Sequence, residues 1–178
     1  MIYITTILLN IFIPITLQEI FNDAESNGDY QKYIVLEPNQ TYLGGISGIN
    51  EDGLNVFIDC QGSIIDLNDQ LGIWTYGEEG DEVSITIQYC NIINGQYGLQ
   101  IGGYSNAEIL NCNFYNNQKG IESKDFSQVS IENCNFIKNR QYGLAIVTEN
   151  PTVSINYCNS WENNGDYWEN CPGWGNIW

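Results

Sequence analysis

The sequence predicts an all-β rod, a parallel β-helix of about six circuits with a short helix over its N-terminal end. Three observations carry that prediction. A Cys-Asn pair recurs four times at a nearly constant step, apolar-polar-apolar alternation precedes each pair, and no helical periodicity runs through the repeats. The pairs are Cys90-Asn91, Cys112-Asn113, Cys134-Asn135 and Cys158-Asn159, at steps of 22, 22 and 24 residues. A fixed period of this length marks a repeat architecture whose stacked units share one core.

Each repeat reads as three short strands. Ile87, Ile109, Ile131 and Ile155 stand three positions before the Cys, and Ile85, Ala107, Val129 and Val153 five positions before it. Thr86, Glu108, Ser130 and Ser154 lie between them, the period-2 pattern of a strand with one buried face. After the Cys-Asn pair an apolar residue returns as Ile92, Phe114 and Phe136, and Ser160 breaks the series. Gly98, Gly120 and Gly143, followed by Leu99, Ile121 and Leu144, mark a bend that needs either positive φ or no side chain. Such a repeat is too short for a strand and a crossover helix, but it fits one circuit of three strands. Stacking at about 4.8 Å makes columns of like residues inside, an Ile column, a Cys column and a Phe column. Asn91, Asn113, Asn135 and Asn159 read as a structural ladder between circuits, or as turn positions where Asn tolerates left-handed backbone.

The earlier segments read as less regular circuits. Tyr33 to Glu37 is a strand followed by a Pro38-Asn39 turn, and Asn55 to Gly62 matches the repeat with Phe57 three residues before Cys60. Cys60 to Cys90 is a step of 30, so about eight residues are inserted, and the acidic run Glu78-Glu79-Gly80-Asp81-Glu82 is the expected place. Six circuits make a rod roughly 29 Å long. An open end of such a rod exposes unpaired strand edges and needs a lid. Thr16-Leu17-Gln18-Glu19 is a capping box, and Leu17, Ile20, Phe21 and Ala24 fall on one helical face, so a capping helix is expected over 16–25. The β-helix then occupies 26–165. Residues 1–15 form an apolar run too short to span a bilayer. They are similar to the apolar region of a signal peptide without a positive start or a small-x-small cleavage site, the other reading being a buried first strand. Residues 166–178 are an irregular Trp- and Gly-rich tail, expected to be where the reading frame is cut short.

The stretch from Leu17 to Ile65 resembles the opening of right-handed parallel β-helix proteins of the pectate-lyase-like superfamily. The marks are the cap helix, Gly28-Asp29, Tyr33-Ile34-Val35-Leu36 with Pro38, Thr41-Tyr42, and Ile58-Asp59-Cys60-Gln61-Gly62. The Cys-Asn circuits resemble the generic repeat of that superfamily, in which Asn often holds the ladder position that Cys takes here. The resemblance covers about 150 of 178 residues and implies a single-stranded right-handed parallel β-helix. Lyases, hydrolases, epimerases, adhesins and binding modules share this repeat, so it implies a fold and leaves the activity open.

The chain carries 22 acidic residues against five basic ones and no His, a net charge of -17. Nucleic acid is excluded as a partner, since phosphate binding needs clustered Lys and Arg. A polyanionic glycan is repelled unless divalent cations bridge it, and the simplest role of the acidity is to keep a secreted repeat protein soluble. Cysteines in adjacent circuits lie about 4.8 Å apart at Cα, inside the disulfide window. Parallel neighbours point their sulfurs alongside one another, however, so free thiols filling the core are expected. Cys171 stands outside the register, where it could pair with Cys158. No Cys-x-x-Cys and no His are present to bind a transition metal.

The absence of His excludes a Ser-His-Asp or Cys-His nucleophile. The resemblance brings two enzymatic options. Hydrolases of this fold use paired carboxylates. Asp59 and Asp66 are the nearest match here, but Asp59 reads better as a turn residue whose carboxylate bonds local backbone. Calcium-dependent polysaccharide lyases need a Lys or Arg base and acidic calcium ligands. Lys119 and Arg140 are the candidate cations, with Lys138 nearby, and Glu78, Glu79, Asp81 and Glu82 the candidate oxygen ligands for Ca2+. Aligning the circuits on Gly120 and Gly143 sets Lys119 opposite Tyr142 and Arg140 opposite Asn117. Tyr97, Lys119 and Tyr142 precede equivalent glycines and stack along one side of the rod. With Trp161, Tyr167 and Trp168 they could form a platform for sugar rings, unless the tyrosines fill core or turns as Tyr89 and Tyr157 are placed to do. The function expected is a secreted or cell-surface β-helix module, non-catalytic or carbohydrate-binding, with no stable membrane span. The alternatives are a calcium-dependent polysaccharide lyase or related carbohydrate-active enzyme, and a structural segment of an adhesin.

Overall fold

The computed structural model describes residues 15–50 and 53–165. The leader reading of the first segment, apart from Ile15, and the tail with Tyr167, Trp168 and Cys171 lie outside the described residues. Chain order runs α1 (Leu17–Asp23), β1 (Lys32–Val35), β2 (Thr41–Leu43), β3 (Asn55–Asp59), β4 (Ile64–Asp66), β5 (Ile73–Gly77) and β6 (Ser84–Gln88). It continues through β7 (Asn91–Ile93), β8 (Tyr97–Gly103), β9 (Asn106–Leu110), β10 (Asn113–Tyr115) and β11 (Lys119–Ser123). The last strands are β12 (Gln128–Glu132), β13 (Asn135–Ile137), β14 (Tyr142–Ile146), β15 (Thr152–Asn156) and β16 (Asn159–Trp161).

Three parallel sheets form the faces of a solenoid of about six turns. The first is β1-β3-β6-β9-β12-β15, the second β2-β4-β7-β10-β13-β16, and the third β5-β8-β11-β14. Inward-facing residues stack like on like. Ile58, Ile87, Ile109, Ile131 and Ile155 form one fully buried file, and the rings of Phe114 and Phe136 stack at 5.3 Å in another. Below β5 the third face is carried by irregular chain, where Ile49 bridges to Thr75 and the buried Ile46 accepts from Trp74 N. The helix starts at its Thr16 N-cap with both halves of the capping box formed. Leu17 and Phe21 are buried over the first coil, with Ile20 and Ala24 packed beside them.

Several expectations are corrected. Phe57 does not belong to the Ile file: it pairs with Thr86, while Ile58 pairs with Ile87. Side chains alternate along a strand, so this shift of one residue turns Phe57 outward, where its ring stacks on Tyr33 at 4.9 Å. The insertion is not confined to the acidic run. Ile58 to Ile87 is seven positions longer than the later 22-residue step; four of these fall between Gly77 and Ser84 and three at the other two corners. The cysteine column is not wholly reduced. Cys60 and Cys90 form a disulfide with Cα atoms 4.9 Å apart, while Cys112 and Cys134 remain buried thiols. The hydrogen bond with Cys112 first, and burial after it, hold the Cys134 thiol above its ordinary pKa.

Two alternatives left open by the sequence are resolved. Gly98 and Gly120 are needed for space and not for positive φ: a Cβ on Gly98 would lie 2.5 Å from Gly120 O, and one on Gly120 2.4 Å from Gly143 O. Gly45 and Gly72 extend the same file downward. The Asn91 series is a ladder, with Asn113 Nδ2 donating to Asn91 Oδ1 at 2.7 Å, Asn135 to Asn113 at 2.7 Å and Asn159 to Asn135 at 2.8 Å. Left-handed positions belong instead to Tyr89, Asn111, Asn133 and Tyr157, one residue before each Cys. Tyr89 and Tyr157 are accordingly exposed turn residues and not core.

A second ladder is buried at the corner between the second and third sheets. Asn139 Nδ2 donates to Phe114 O at 3.1 Å, and its Oδ1 accepts from Asn117 N at 3.1 Å. Asn117 makes the same pair of bonds to Ile92 O and Gly95 N, and Asn163 bonds Phe136 O and Asn139 N. Each amide therefore satisfies one carbonyl and one N–H that the bend would leave unpaired in the coil before it.

Candidate glycan-binding face

The third sheet begins each coil with the residue before the glycine file, so Tyr97, Lys119 and Tyr142 come into direct register. Lys119 Nζ lies 5.2 Å from the centroid of the Tyr97 ring and is ion-paired with Glu122. Glu122 is 5% exposed and also accepts from Gln100 Nε2 at 2.7 Å, so the carboxylate is held by one donor of its own strand and one of the coil before it. Tyr142 is half-exposed and its ring rests on Gly165, where a Cβ would come within 2.5 Å of it.

Arg140 N donates to Asn117 O at the corner, but its guanidinium turns away from Glu122, the carboxylate that holds Lys119. Nη2 donates to Asp69 Oδ1 at 2.9 Å and to Gly95 O at 3.4 Å. The two cations are thus engaged by different carboxylates. Trp161 stands apart from the tyrosine file. It ends β16 on the second sheet, opposite Ile137, with its side chain exposed. Tyr167 and Trp168 lie outside the described residues.

Glu78, Glu79, Asp81 and Glu82 are all exposed on a tight turn in which Glu78 and Asp81 pair as an antiparallel bridge. Among the described residues no three acidic or sulfur side chains converge to hold a metal ion. Glu79 instead faces Tyr104, whose phenol is raised above its ordinary pKa by desolvation first and by this carboxylate second. Asp59 and Asp66 behave as turn residues. Asp59 Oδ1 accepts from Gln61 N at 2.9 Å and Asp66 Oδ1 from Asn68 N at 3.1 Å, each two residues on. Gln100 and Glu122 were not singled out from sequence; their signal is the 22-residue spacing on the same strand frame as Lys119.

A stacked, three-faced coil of this kind defines the class of parallel β-helix proteins. Residues 44–172 match the family model described as the right handed beta helix region, and the chain belongs to that family. Among solved structures, the crystal structure of pectate lyase Pel9A is similar in fold, with a TM-score of 0.53 at 18% identity. The match covers 81% of this chain and 49% of that one, so the chain spans about half the length of the lyase. No curated protein matches the sequence significantly. No helix among the described residues is long and apolar enough to cross a membrane.

Proposed function

We propose that this chain is a secreted or cell-surface β-helix module that binds carbohydrate without cleaving it. The observation that carries the reading is the file of Tyr97, Lys119 and Tyr142, one per coil on the edge of the third sheet. Aromatic rings two coils apart can lie against the apolar faces of sugar rings, while an ammonium on the coil between them donates to hydroxyls. Lys119 and Arg140 are each bonded to a carboxylate, Glu122 and Asp69, which leaves neither poised to abstract a substrate proton. The Cys60–Cys90 disulfide supports an oxidising, extracytoplasmic location.

Replacing Tyr97→Ala together with Tyr142→Ala should weaken retention on a glycan array at least tenfold, about 1.4 kcal/mol. Unchanged retention dismisses the tyrosine file as the binding face. The likeness to a pectate lyase favours a second reading, a calcium-dependent polysaccharide lyase. Absorbance of unsaturated products from pectate or alginate with calcium would establish that reading and remove the non-catalytic one. A purely structural adhesin segment predicts neither retention nor product.

A further inference from the structure

We propose that the outer face of the second sheet is a separate binding surface for a linear, uncharged β-1,4-linked polysaccharide. The inference rests on the carbohydrate-binding reading and adds to it a second face and the charge class of the polymer. Register places Ile93, Tyr115, Ile137 and Trp161 in one outward file across four coils. Tyr115 is 41% and Trp161 60% exposed, whereas the inward residues beside them, Ile92, Phe114 and Phe136, are fully buried. The aromatic residues alternate with half-buried isoleucines, so Tyr115 and Trp161 lie two coils apart, roughly 9.6 Å at the inter-strand spacing. An extended β-1,4-linked chain presents the same face of every second ring at about this interval.

The neighbouring outward file supplies the polar half of the site. Asn91, Asn113, Asn135 and Asn159 run two positions away on the same strands, linked side chain to side chain. The ladder uses one N–H and one oxygen lone pair of Asn113 and of Asn135, which leaves the other of each for sugar hydroxyls. A shallow groove follows this face past Asn91, Ile93, Asn113 and Tyr115.

Charge selects the occupant. Neither file contains a charged residue over these four coils, on a chain with a net charge of -17. A polyuronate, a nucleic acid or a second copy of the chain would meet repulsion, since the files hold no cation and Lys138, which follows Ile137, is ion-paired with Glu162. A neutral glycan meets none, and it offers apolar ring faces to the aromatics and hydroxyls to the amides.

The test is depletion of the full chain from solution by phosphoric-acid-swollen cellulose, with polygalacturonate as the anionic control. Wild type should be retained by the cellulose and not by the polygalacturonate. Tyr115→Ala with Trp161→Ala should lose retention at least tenfold with unchanged circular dichroism and urea midpoint, and Asn113→Ala should lose part of it. Retention that survives the Tyr115/Trp161 change but falls with Tyr97→Ala and Tyr142→Ala overturns this face while sustaining carbohydrate binding. Binding to polygalacturonate alone overturns the charge argument. A change in sedimentation coefficient on removing Tyr115 and Trp161, with no change in retention, makes the face an interface between copies and overturns the proposal.

Discussion

Replacing Asn139→Ala removes a side chain that is 1% exposed and serves three partners. Its Oδ1 accepts from Asn117 N, and its Nδ2 donates to Phe114 O and to Asn163 Oδ1. Truncation therefore strands one backbone N–H and one backbone C=O inside the corner. Each buried, unpaired group costs about 1–3 kcal/mol, so the variant should lose about 2–6 kcal/mol. That is a large share of the stability of an ordinary domain. Asn135→Ala is the internal control, because its amide links Asn113 and Asn159 on the outer surface, where water replaces it. A loss of about 1 kcal/mol is expected there. Equilibrium urea unfolding, followed by circular dichroism at unchanged m, measures both. If the two variants cost the same to within about 0.5 kcal/mol, burial of the second ladder does not set its energy and the reasoning fails.

Three further outcomes are expected. Reduction of Cys60–Cys90, which closes a 30-residue step, should lower stability by about 3–4 kcal/mol, seen as a lower urea midpoint in dithiothreitol. Thr75 Oγ1 is buried with no hydrogen-bond partner, so Thr75→Val, of nearly the same shape, should raise stability by about 1 kcal/mol; a lower midpoint would contradict this. The Glu19 carboxyl is held below its ordinary value of 4.5 by its side-chain bond to Thr16 and then by the Thr16 backbone N–H. A depressed folded-state value means that the stabilisation is complete above pH 4.5 and lost as pH falls through the lower folded value. The stability gap between wild type and Glu19→Gln should therefore hold at neutral pH and narrow below 4.5. A gap that widens on acidification would reverse the assignment.

The repeat was legible because stacking places like residues against like, so the period, the Ile and Phe files and the pairing of Lys119 with Tyr142 can be read from spacing alone. The cap was legible for a local reason: Thr16 and Glu19 satisfy each other within one turn. Less of the candidate site could be read. Equal spacing does not tell which sheet an aromatic residue joins: Trp161 ends a strand of a different face from Tyr97 and Tyr142.

What the chain's spacing determined by itself was a stacked rod with its capping helix and the identity of most inward files. Tertiary structure alone decided the rest. It turned Phe57 outward by a one-residue shift, divided the inserted residues among three corners, and turned the sulfurs of Cys60 and Cys90 toward one another to bond. It also drew Arg140 to Asp69 across 71 positions of sequence. The reason is physical. A strand's two faces are exchanged by a single-residue slip, and corners absorb extra residues with little cost, so facing and register are fixed only when neighbouring coils pack together.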